Sequence, residues 1–245
     1  EVFYVFLCGI ASNSNFRNDT ALQVIASMIR KALQDGAPLS RRNAVFLLDC
    51  IHADTSSSFR GILAESNLAQ KSLDIVFEYA CQNGDEATFT VLLEKKADLG
   101  VGISAASRGG HEDLVKRLVQ CKADPSRGIG AAAMNDHCPV VRYLLECKAD
   151  PKRGFNAALN AQKLDSLQLC GERAPELFAG EWKDQLALAA VNTGNVNLVE
   201  RLLALGAEPS NFIFGASKKG SLPIVELLLT KGADPNEGIK KTALD

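Results

Sequence analysis

The sequence predicts an all-α chain, a helical solenoid of stacked helix-turn-helix repeats joined by short connectors. Three observations predict it. The stretches GHEDLVKRLVQCKADP (110–125) and DHCPVVRYLLECKADP (136–151) are one pattern written twice, so that His111 and His137, Val115 and Val141, Cys121 and Cys147, and Asp124 and Asp150 all stand 26 apart. A fixed period of this size is the mark of stacked repeats. Within the unit, Leu114, Val115, Leu118 and Val119 form one apolar stripe on a helix while Glu112, Lys116, Arg117 and Gln120 face away. Ahead of that helix lies a shorter, alanine-rich one, at 103–108 and again at 129–135. Its small residues let neighbouring helices approach, and Gly109 and Gly110 are placed to end it in a left-handed conformation. Helices below roughly 12 residues are marginal alone in water, so each copy has to bury its stripe against the next.

Extending the register backward reaches Phe77, Ala80, Gly84, Asp85, Phe89, Leu92 and Leu93; forward it reaches Phe155, Ala157, Ala158 and Leu167. From Leu167 the next match is Val199, a step of 32, after which the stretches 194–209 and 220–235 are again 26 apart. These residues resemble the ankyrin repeat, whose second half reads like GH, an apolar helix, then GAD. The chain departs from that family in period, since ankyrin units run to about 33 residues, and in lacking a Thr-Pro-Leu-His-like opening. The segments ADPSRGIGAA and ADPKRGFNAA leave too few residues for a projecting β-hairpin finger, so the fingers are expected to be trimmed. Gly102, Gly128, Gly154 and Gly238 recur just before the first helix, where a short return requires positive φ or close backbone approach. The 32-residue step, which contains APELFAGEW, is the unit nearest the family's usual length.

Residues 71–245 are expected to form the repeat array, running into a further first helix at Gly238, Ile239, Thr242 and Ala243. Residues 1–70 are read as degenerate repeats or a helical N-terminal cap, because terminal repeats differ in order to present a polar end. Helices are expected over 2–11 and 20–33, followed by a pair at 40–50 and 59–63. The run 2–10 is too short to span a bilayer and lacks the basic start of a signal peptide.

Composition narrows the partners. With 27 basic against 29 acidic residues and a net charge of −2, the chain offers no basic field for nucleic acid and no polybasic membrane patch. Protein partners are expected, with no nucleic acid and no direct membrane insertion. Seven cysteines, an odd number scattered over helices, read as reduced thiols and favour the cytoplasm or another reducing interior.

No catalytic, cofactor-binding or metal-ligating set emerges. His111 and His137 share a repeat position with Asp85, Lys163, Asn195 and Ser221, which suits the start of a helix. Cys121 and Cys147 share one with Lys95, Leu205 and Lys231, a helix edge. His137 and Cys138 are sequence neighbours that do not face one another on a helix, and no third residue orients them. Gly100, Gly102, Gly109 and Gly110 match no phosphate-binding loop. Asp124, Asp150 and Asp234 are assigned to turns rather than to calcium. Trp182 and Phe178 are read as plugging the irregular joint between two stacks, with a partner-binding hot spot as the alternative.

The expected function is a noncatalytic protein–protein interaction scaffold. The alternatives are a structural subunit of a larger assembly, or a targeting module whose enzyme lies in residues 1–70 or outside this chain. The ankyrin resemblance implies a concave binding side lined by residues that follow the paired alanines of each first helix: Arg108, Met134, Asn160, Asn192 and Lys218. Arg127 and Arg153 in the connectors and the outward-facing Phe214 complete the expected surface.

Overall fold

A computed structural model describes Ser27 and residues 58–66, 68–178 and 182–236. Its regular structure is wholly helical, with thirteen α-helices, two 3-10 turns and no strand among the described residues. The helices expected over 2–11, 20–33 and 40–50, and the repeat start from Gly238, lie outside them; the helix expected at 59–63 is present. The chain forms two compact units, Glu1–Ala123 and Asp124–Asp245.

In the first unit the helices are α1 (Ser58–Glu65), α2 (Gln70–Asn83), α3 (Glu86–Glu94), α4 (Leu99–Gly109) and α5 (Glu112–Gln120). First helices pack on first helices, α2 on α4, and α1 packs on α3. In the second unit they are α6 (Ile129–Met134), α7 (Cys138–Glu146), α8 (Pro151–Ala161), α9 (Leu164–Glu172), α10 (Trp182–Thr193), α11 (Val196–Ala204), α12 (Ser210–Lys219) and α13 (Leu222–Thr230). Two layers result: α6, α8, α10 and α12 pack in that order, and α7, α9, α11 and α13 do the same beside them.

The repeat register is written into burial. The first helices bury Phe77, Ile103, Ile129, Phe155, Ala187 and Ile213 at one position, and Ala80, Ala106, Ala132, Ala158, Ala190 and Ala216 three residues later. Each set advances by 26 except at the step of 32. The second helices bury Phe89, Val115, Val141, Leu167 and Val199 in the same series. Full burial of such aliphatic or aromatic side chains contributes about 1.5–3 kcal/mol each, against which the ordering of these short helices must be set.

Side-chain caps start some of the helices, and left-handed residues follow most of them. Asp98, Asp124, Asp150 and Asp234 accept from the backbone N–H two residues on, at 2.7, 2.9, 3.0 and 2.9 Å. This is the turn chemistry expected for the aspartate series. The N–H groups of three of them are tied back one repeat: Asp98 donates to Asp74 Oδ1 at 2.9 Å, Asp150 to Ser126 Oγ at 3.0 Å and Asp234 to Ser210 Oγ at 3.0 Å. The first helices end on a left-handed residue at Gly84, Gly110, Asp136, Gln162, Gly194 and Gly220, and the second helices are followed by another at Lys96, Lys122, Lys148, Gly206 and Gly232. Both series keep the repeat spacing. The second series' next member would be Ala174, which lacks positive φ and is followed by a 3-10 turn, Pro175–Phe178, where the longer connector begins.

Three expectations are corrected. Gly102 and Gly154 lie inside α4 and α8 rather than before them, and neither they nor Gly128 has positive φ. Close approach is their reason: a Cβ on Gly102 would come within 2.4 Å of the Phe77 ring, and one on Gly154 within 2.6 Å of Cys170 Sγ. α6 begins at Ile129, where the alanine pattern puts it, but α4 and α8 begin earlier, because the aspartate cap, with Pro151 after it in the case of α8, initiates the helix at once. Arg153 therefore sits in the first turn of α8, not in a connector.

Candidate functional site

The candidate surface is the side of the first helices opposite their buried alanines. In the second unit, Met134, Asn160, Asn192 and Lys218 are all exposed, Met134 to 51%. Each follows a buried alanine by two residues near the C-terminal end of its helix. Lys219 Nζ donates to the carbonyls of Val191 at 3.0 Å and Asn192 at 2.6 Å, which ties the C-terminal ends of α12 and α10 together. Asn195 Nδ2 donates to Gln162 Oε1 at 3.0 Å, joining the turns that follow α10 and α8. Lys218 Nζ stands 5.7 Å from the centre of the Phe214 ring, one turn earlier on α12.

Arg127 and Arg153 belong to the other end of this row. Both are exposed, and Arg153 Nη1 donates to the Ser126 carbonyl at 3.4 Å, which ties the start of α8 to the 3-10 turn before α6. Arg108 belongs to the first unit, exposed near the end of α4, with Nη1 3.4 Å from both Glu78 Oε1 and Gln82 Oε1 on α2. The expected residues therefore divide into a C-terminal group, an N-terminal pair and a separate arginine.

One surface residue was missed. Leu188, on α10, is 56% exposed and precedes the half-buried Phe214 by 26 residues. Since α10 packs against α12 and their buried residues match at the same interval, Leu188 and Phe214 stand at one height on adjacent helices. The signal was available in the repeat period: stepping back from Phe214 lands on Leu188.

The expected helix capping holds at only part of its repeat position: Asp85 and Asn195 cap with their side chains, while His111, His137, Lys163 and Ser221 make no side-chain cap bond. Asp85 and Asn195 accept from Thr88 N–H at 3.1 Å and Leu198 N–H at 3.2 Å, whereas His111, at the same position, reaches the Gln82 carbonyl through Nε2 at 2.9 Å. Cys138 Sγ lies 3.7 Å from Asp136 Oδ1 and 3.8 Å from Ser166 Oγ. Burial, with help from the Asp136 and Asp165 carboxylates, outweighs the opposing hydrogen bond to Ser166 and pushes this thiol's pKa up, opposite to the shift a thiolate nucleophile requires. Cys81, Cys121, Cys138, Cys147 and Cys170 are free thiols, with Cys121 at an exposed helix edge; Cys8 and Cys50 lie outside the described residues, as do the side chains of Trp182 and Phe178. Among the described residues no group of three or more His, Cys, Asp or Glu side chains could hold a metal ion, and no helix is long and apolar enough to cross a membrane.

No protein-family model matches the chain, and no curated protein matches it either.

Proposed function

We propose that this chain is a noncatalytic protein-binding scaffold, an ankyrin-like array with shortened connectors, that holds its partner on the exposed face of its first helices. The observation that supports this reading is the contrast along that layer of the second unit. At one repeat position every first helix buries alanine: Ala132, Ala158, Ala190 and Ala216. Two residues on, the exposed position changes freely among Met134, Asn160, Asn192 and Lys218. Packing fixes the first set and leaves the second open to a partner's requirements.

A reducing compartment such as the cytoplasm belongs to the same reading, supported by thiols as deeply buried as Cys81 and Cys170. The test is to cross-link the chain to its native partner, identify that partner, and measure binding in folded variants. Charge reversal at Arg127 and Arg153 together with Phe214→Ala should weaken it. Loss of binding through Lys116, Arg142 and Glu226 on the second helices, with the first set silent, would refute the assignment.

A further inference from the structure

Charge is divided between the two layers of the second unit. Its first helices, α6, α8, α10 and α12, carry five basic residues and one acidic; its second helices, α7, α9, α11 and α13, carry two basic and five acidic. A net charge of −2 for the whole chain conceals this division. The positive layer also carries the adjacent apolar pair Leu188 and Phe214, with Lys218 over the Phe214 ring. One turn beyond the pair, Asn192 and Lys218 provide an amide and a cation on the same exposed face. An apolar anchor beside a cation, in a layer depleted of carboxylates, is complementary to an acidic chain carrying an aliphatic or aromatic side chain.

We propose that the exposed face of α10 and α12 binds an acidic peptide segment of a partner protein, seating one apolar side chain of that segment against Leu188 and Phe214 while its carboxylates meet Lys218 and the neighbouring Lys219. This rests on the scaffold reading above and adds the chemistry of the partner. A membrane surface is a poorer match, since anionic headgroups would use the charge and leave a two-residue apolar notch with little to bury. Nucleic acid would call for a larger excess of cations than this layer has.

The experiment is selection of a random 12-residue peptide library displayed on phage against the folded 245-residue chain, followed by anisotropy titration of the enriched peptides as synthetic, labelled probes. Enriched sequences should be net negative with at least one aliphatic or aromatic residue, and their binding should weaken as salt is raised. Leu188→Ser and Lys218→Glu, both at exposed positions, should each weaken binding at least tenfold while circular dichroism stays unchanged, and Glu226→Lys on α13 should have no effect. Enrichment of neutral or basic peptides that still depend on Leu188 overturns the acidic assignment and leaves the first-helix face standing. Peptides indifferent to both Leu188→Ser and Lys218→Glu, or a selection yielding no binder, overturn the site itself. Tighter binding of a labelled oligouridine probe than of any peptide would overturn the choice of partner class.

Discussion

Asp136 holds Ser166 across the gap between two repeats: one carboxylate oxygen accepts from both the Ser166 backbone N–H, at 3.1 Å, and its hydroxyl, at 2.8 Å. Ser166 is fully buried, so these bonds substitute for water that cannot reach it. Ser166→Ala removes the hydroxyl and leaves the N–H bond, and should destabilise the fold by about 1 kcal/mol. Asp136→Ala leaves both donors without their acceptor and should cost about 2–3 kcal/mol. Urea unfolding of the two single variants and the double variant checks this; additive losses would mean that the pair does not interact.

The left-handed lysines should be replaceable with profit. Lys96, Lys122 and Lys148 have φ of 61°, 69° and 64°, while the equivalent positions later in the chain are Gly206 and Gly232. A side chain in this conformation costs about 1 kcal/mol. Lys122→Gly and Lys148→Gly should each raise stability by up to that amount, and Gly206→Lys should lower it by a similar amount, measured as shifts in the urea midpoint at constant slope.

Two helical glycines should respond in opposite ways to alanine. Gly154→Ala drives a Cβ to within 2.6 Å of Cys170 Sγ and 3.0 Å of Ile129, and should cost about 1–3 kcal/mol through overpacking. Gly130 lies in α6, and the nearest atoms to an added Cβ are 3.8 Å away. There the helix preference dominates, and Gly130→Ala should stabilise by about 0.5–1 kcal/mol.

Burial pushes the Cys170 thiol from 9.0 up to about 12, and Cys81 rises for the same reason. Above pH 9 the unfolded chain loses these protons while the folded chain keeps them. Stability should therefore be flat with respect to both thiols below pH 9 and fall as pH rises from 9 towards 12. Cys170→Ala should make the alkaline slope shallower, read from unfolding midpoints at pH 8 and pH 10.5. In the native state at pH 8, a thiol reagent should label exposed Cys121 well before Cys170 or Cys81.

Periodicity made the buried faces legible, because Phe77, Ile103, Ile129 and Phe155 recur at the spacing that packing itself imposes. It also exposed the slip between Leu167 and Val199. The start of the first helices was less accessible: Gly102 and Gly154 read as part of a short return before the helix, whereas the aspartate caps start the helix ahead of them and the missing Cβ serves close packing. The left-handed lysines could not be read, since nothing in a lysine announces positive φ, and only the glycines in the same repeat position hint at it. At the candidate surface, exposed positions followed from the register, but their grouping did not. That Arg127 and Arg153 sit at one end of the row and Asn192 and Lys218 at the other depends on where each helix begins.

The longer connector after α9 shows what this architecture tolerates. Six residues more than the usual step separate Leu167 from Val199, yet both are fully buried in equivalent places. Loop-closure cost grows only slowly with length, and the helices on either side still join their layers, α9 with α7 and α11, α10 with α8 and α12. The longer connector is thus a natural graft point: an epitope, a protease site or a fluorophore-bearing loop could be spliced in after Phe178, past the 3-10 turn that packs on α9 and α10, with the layers left in register.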